Sequence, residues 1–211
     1  MEENKGFVAF FKTNFDAISK LFLNHVAMCV FGMVVSLATK MLNDKVFNDP
    51  SAEPSTSFGV LGYIMCGVGV LMYLCLIYVC MWEKGASDKI KIDGGRLKKN
   101  NFKGILFWLV ANSIVIFMVL NTIILAIIFN ATGGANESVN TIYWIVSMFT
   151  MIGNGMYFPI LYHFLNFNLG WLFFVVLIPG AIVAPLSYIS GIKGHKCIFP
   201  EPRKEQNRKV R

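Results

Sequence analysis

The chain has 211 residues, of which 55% are hydrophobic and 15% charged, and its formal net charge is +7. Soluble domains carry about 25% charged residues, and this chain holds several runs longer than the roughly 18 uncharged residues that nominate a membrane helix. The composition therefore excludes an ordinary soluble domain. Its positive charge lies beside apolar runs, as in cytoplasmic loops, so no nucleic-acid partner is expected.

From the N-terminus on, Phe7, Phe11, Phe15, Ile18 and Phe22 recur at spacings of three and four, with Lys5, Lys12, Asp16 and Lys20 largely off that stripe. The pattern predicts an amphipathic helix over residues 1–20 in the headgroup region. A first span over about residues 21–42 follows and is read as a retained anchor, although Ser36-Leu37-Ala38 loosely resembles a cleavage site. After a polar loop comes a second span, about 58–82, closed by Trp82. Residues 83–103 are strongly basic, and KIKIDGGRL within them predicts a short hairpin or turn. A third span covers about 104–130, and the loop ATGGANES after it has no basic residue.

Lysine and arginine counts place the N-terminus inside and the following loops out, in and out. The tail 192–211 is basic again, with Lys193, Lys196, Arg203, Lys204, Arg208, Lys209 and Arg211. It belongs on the inside, so an odd number of crossings lies between 139 and 191. Residues 169–191 form the apolar crossing, kinked at Pro179 and Pro185. Residues 139–168 are divided by Gly153-Asn154-Gly155, with Pro159 beyond. Each half, about 12 residues or 18 Å as helix, is too short for a core of about 30 Å. The expected fold is all-α: a transmembrane bundle over 21–191 with four spans plus a re-entrant or interfacial hairpin whose elbow is Gly153, Asn154, Gly155 and Pro159. The alternative is five full spans with the tail outside.

Chemistry is sparse. Cys29, Cys66, Cys75 and Cys80 lie in apolar runs and act as small hydrophobes. With no CxxC and only Cys197 in a polar segment, neither metal nor cofactor is expected. The acidic residues all fall outside the predicted spans, which argues against carboxylate-based proton or ion coupling. Gly59, Gly62, Cys66 and Gly69 form a small-residue stripe for close helix packing. Asn112, Asn121 and His163 are the candidate functional polar residues; the two asparagines, nine positions apart, point to opposite faces. His25 and His195 read as interfacial hydrogen-bonders. Lys89, Lys91, Arg96, Lys98, Lys99, Arg203 and Lys204 are candidate contacts for anionic lipid. The glycosylation patterns at Asn130 and Asn136 are short enough to be coincidental.

The segments KLFLNHVAMCVFGMVVSLAT and GASDKIKIDGGRLKKNNFKGI resemble, in general layout, those of small uncharacterised multi-pass membrane proteins of Gram-positive bacteria. The resemblance implies a plasma-membrane location and carries no activity. The residues favour a non-catalytic accessory or assembly partner of a membrane complex, in contact with lipid and with a protein partner or a second copy. A transporter or channel for a neutral or lipid-like solute is the alternative, on the broken 139–168 segment. A weaker one is an interfacial lipid-modifying enzyme using His163.

Overall fold

The computed structural model describes residues 7–43, 58–133 and 136–194. The 44–57 loop and the tail beyond Gly194, with His195, Cys197, Arg203 and Lys204, lie outside the described residues. Among the described residues the regular structure is all helical: α1 (Phe7–Asn43), α2 (Gly59–Asp93), α3 (Lys103–Ala111), α4 (Ser113–Ala131), α5 (Glu137–Gly153), α6 (Phe158–Asn166) and α7 (Ile178–Lys193). A 3₁₀ turn at Gly155–Tyr157 joins α5 to α6, and a 3₁₀ segment, Gly170–Leu177, leads into α7. Four stretches are long and apolar enough to cross a membrane: Phe10–Asn43, Gly59–Asp93, Ser113–Ala131 and Gly170–Lys193.

Three boundaries differ from the sequence reading. The amphipathic helix is continuous with the first span, interrupted only by a kink at Asn14 (φ −118°, ψ 15°) where its side-chain amide donates to the Phe10 carbonyl. α2 does not end at Trp82 but runs through Asp93, so residues 84–93 are helix; of the expected hairpin or turn in KIKIDGGRL, the turn forms, at Gly94 and Gly95. Gly94 and Gly95 stop that helix, the latter with φ of +69°. The 104–130 span is split at Asn112, which leaves helical geometry and turns its amide back onto the Trp108 carbonyl.

The inward stripe of α2 is Gly62, Cys66, Gly69, Tyr73, Ile77, Met81, Gly85 and Asp88, at the three-and-four spacing of one helix face. α1 turns inward Asn14, Ala17, Ile18, Leu21, His25, Met28 and Cys29. Phe11, Phe15 and Phe22, by contrast, are on its outer side. α7 lies along α2, α1 flanks α2, α3 packs on α7, and α4 packs on α5 and the 3₁₀ segment.

Contacts between element ends give the bundle its two poles. Phe10 meets Phe107 at 5.3 Å between ring centroids, Phe107 meets Tyr188 at 6.1 Å, and Lys103 bonds Asp88. The starts of α1 and α3 therefore lie with the ends of α2 and α7, at a basic pole. At the opposite pole Lys40 sits over the Phe58 and Tyr162 rings, and the Asn130 amide reaches the Asn168 carbonyl at 3.4 Å.

That last contact settles the course of 139–168. α5 starts beside the end of α4, with Tyr143 stacked on Phe129 at 5.0 Å. The chain then bends by 100° between α5 and α6 and arrives at Asn168, back beside Asn130. It enters and leaves at the same pole. The protein is an all-α membrane bundle of four spans plus a re-entrant helical hairpin.

Candidate functional site

The hairpin elbow lies in the bundle interior, against the middle of α1. A break in a helix frees carbonyls that lipid cannot satisfy, so non-helical backbone at depth must be enclosed by protein. The neighbours here supply the donors. His25 Nε2 and Cys29 Sγ both reach the Gly153 carbonyl, at 2.9 and 3.0 Å, and Cys66 Sγ donates to the Met156 carbonyl at 3.2 Å. Asn154 is 1% exposed and its amide donates back to the Thr150 carbonyl at 2.9 Å.

These bonds fix the histidine. A carbonyl only accepts, so Nε2 carries a proton, and in the neutral imidazole the other ring nitrogen is an acceptor. Tyr73 then donates its hydroxyl hydrogen to His25 Nδ1 across 2.9 Å. A directed pair of bonds, Tyr73 to His25 to Gly153, thus ties α2 and α1 to the hairpin. The buried Trp108 indole N–H has no hydrogen-bond partner.

The elbow is seated by close backbone approach. A methyl group on Gly155 would strike the Cys29 carbonyl, and one on Gly32 would strike the Met156 α-carbon. Pro159 stands in the first turn of α6, where its missing N–H leaves no helical bond unmade. The predicted elbow residues Gly153, Asn154, Gly155 and Pro159 are thus found at the bend.

The other predicted residues separate. Gly62, Cys66 and Gly69 lie on the inward face of α2, with the Thr39 hydroxyl close to Gly62 and nothing within 4 Å of a β-carbon position at Gly69, while Gly59 (φ +66°) begins the helix beside the Asn43 side chain. Asn112 is buried at 2% exposure, whereas Asn121 faces outward with its amide on the Phe117 carbonyl. His163 is exposed on α6 at the pole away from the basic one, beside the rings of Tyr63 and Phe167. Lys91, Arg96, Lys98 and Lys99 are exposed at the basic pole, and Lys89 is half-buried there.

Two features escape the sequence reading. One is His25 itself. The other is Asp88, only 1% exposed, whose Oδ2 accepts from Lys103 Nζ at 2.7 Å and from the Tyr188 hydroxyl at 2.8 Å. Lys84 Nζ stands 3.2 Å from Oδ1, an ion pair without hydrogen-bond alignment. Both ammonium groups also lie over the Phe107 ring, at 5.5 and 5.7 Å. A buried carboxylate needs such pairing, and this knot joins α2, α3 and α7. The sequence did hold a signal: Asp88 continues the spacing of Ile77, Met81 and Gly85.

A polar line also runs along α5. Tyr143, Ser147, Thr150 and Asn154 are all buried on one face, and the Thr150 and Thr122 hydroxyls bond at 2.7 Å. The buried Tyr143 and Ser147 hydroxyls have no hydrogen-bond partner. Among the described residues no group of three or more His, Cys, Asp or Glu side chains is placed to hold a metal ion. No protein-family model matches this chain, and no curated protein and no solved structure matches it.

Proposed function

We propose that the protein is a non-catalytic helical bundle that serves as an accessory or assembly partner of a membrane complex in the plasma membrane. The carrying observation is the closure of the hairpin elbow. Transport sites built on broken helices leave helix ends and unwound carbonyls facing the substrate. Here the carbonyls of Gly153 and Met156 are occupied by His25, Cys29 and Cys66. The break serves the bundle's own cohesion. In this reading the basic pole faces the cytosol, because Lys91, Arg96, Lys98 and Lys99 gather there.

The test is purification of the tagged full chain from its native membranes in a mild detergent. A partner recovered at fixed stoichiometry through two different tags supports the reading. A monodisperse single-chain particle from both purifications counts against it.

The buried polar line of α5 favours a second reading, a path for a small neutral solute. Proteoliposome flux that falls with Asn154→Leu supports that alternative; flux equal to empty vesicles removes it.

A further inference from the structure

Where α1 and α2 meet at the basic pole they leave a cleft of about 260 Å³. Its buried lining residues on α1 are Ala17 and Asn14, the latter at the kink of that helix. Asp16 and Lys20 line it from α1, and Glu83 and Lys84 from α2. Two acids and two bases therefore share one small space, and their charges balance. Asp16 and Lys20 pair at 3.1 Å, but both are exposed, and an exposed pair one helical turn apart is weak. Lys84 stands 3.2 Å from Asp88, and an ammonium has three donors to distribute. Glu83 is exposed and makes no ion pair among the described residues.

The cleft lies where both helices pass from charged to apolar sequence. α1 has no Asp, Glu, Lys or Arg from Leu21 to Thr39, and α2 has none from Gly59 to Trp82. That is headgroup depth. The His25–Tyr73 bond fixes the register of the two helices. Leu23, three residues beyond Lys20, and Leu76, four before Cys80, continue the two cleft faces about one turn deeper, and both are exposed.

We propose that this cleft binds the headgroup of a zwitterionic phospholipid whose cation is a primary ammonium, the chemistry of phosphatidylethanolamine, with the acyl chains running along Leu23 and Leu76. The ammonium donates to Glu83 and Asp16, and the phosphate accepts from Lys20 and Lys84. A quaternary ammonium donates no hydrogen bond and is recognised by aromatic cages. Among the described residues no aromatic ring lines the cleft. A purely anionic headgroup meets two carboxylates with no cation to offer them. The exposed lysines and arginine of the same pole, Lys91, Arg96, Lys98 and Lys99, are of one sign and lie outside this cleft.

The experiment uses the full chain in detergent, stripped of lipid. It is then offered phosphatidylethanolamine, phosphatidylcholine or phosphatidylglycerol with identical acyl chains, and bound lipid is counted by native mass spectrometry. Phosphatidylethanolamine should be retained several-fold better than either of the others. Glu83→Gln should remove that preference, and Lys98→Gln, at the same pole but outside the cleft, should leave it intact. Cys80 also lines the cleft and gives a readout that alters none of the four charges. In a Cys75→Ser, Cys197→Ser chain, where Cys29 and Cys66 are buried, phosphatidylethanolamine should slow alkylation of Cys80 by N-ethylmaleimide several-fold. Glycerophosphoethanolamine, the same headgroup without acyl chains, should give no such protection at equal concentration. Equal retention of the three lipids overturns the proposal, as does a preference for either of the other two or one that survives Glu83→Gln. Equal protection by the lipid and by glycerophosphoethanolamine overturns the assignment to lipid. Should Glu83→Gln fail to fold, the lipid preference of the parent and the protection of Cys80 decide.

Discussion

Gly85 and Gly191 lie back to back where α2 crosses α7. A methyl group on Gly85 would stand 3.1 Å from the Gly191 α-carbon and collide with the Tyr188 carbonyl; one on Gly191 would collide with the Trp82 carbonyl. Gly104 on α3 meets the same crossing, 2.8 Å from the Pro185 α-carbon by the same measure. In lipid, apolar side chains gain nothing by leaving solvent for a neighbour, so helices are held by close packing and polar contacts. Glycines that let backbones touch therefore carry much of the cohesion at this pole.

Gly85→Ala and Gly191→Ala should each destabilise the bundle by about 1–3 kcal/mol, the usual range for overpacking. Gly67→Ala is the control, because Gly67 is exposed and a methyl there meets nothing within 4 Å. Thermal unfolding in detergent should show a clear loss for the first two and none for the third.

Asp88→Asn should cost about 3 kcal/mol or more, since it leaves Lys84 and Lys103 facing each other without their counter-charge. Adding Lys103→Met should recover part of that loss by removing one of the two cations. Tyr188→Phe removes a single hydrogen bond to a charged group and should cost about 1.5–3 kcal/mol. A double-mutant cycle on unfolding in SDS measures all three; additive effects of Asp88→Asn and Lys103→Met would contradict the knot.

His25→Leu should loosen the hairpin while leaving the spans in place. The Gly153 carbonyl keeps Cys29 alone, a weak donor, and the Tyr73 hydroxyl loses its acceptor. A cysteine introduced by Met156→Cys, buried in the parent, should become reactive to a small membrane-permeant thiol reagent in the His25→Leu chain. Unchanged protection would show that the elbow is held without the histidine.

The course of the hairpin predicts a labelling pattern. In a Cys197→Ser background, Ser138→Cys and Phe167→Cys should react with an impermeant reagent from the same side of the membrane. Lys98→Cys should react from the other. Reaction of Phe167→Cys together with Lys98→Cys would mean that residues 139–168 form a crossing.

The hairpin was legible because two glycines around an asparagine cannot sustain a span and because the lysine count demanded even parity. Neither argument depends on which helix face is buried. The inward face of α1 was not legible for a physical reason. A phenylalanine stripe marks the core side in water, but in lipid the same stripe is content to face outward, while Asn14, His25 and other polar groups turn in. Asp88 was missed for a related one. A stretch rich in lysine reads as loop, yet α2 continues through it because Lys84 and Asp88 are one turn apart and Lys103 closes on the same carboxylate. That third partner lies on another helix, beyond what a local pattern shows.

The hydroxyl that completes the Asp88 knot is separated from it by 100 residues of chain. Tyr188 follows Asp88 in the chain, so during synthesis the carboxylate cannot gain this hydroxyl until α7 has been made. α7, which reaches both α2 and α3, can therefore close the knot only once both are already present.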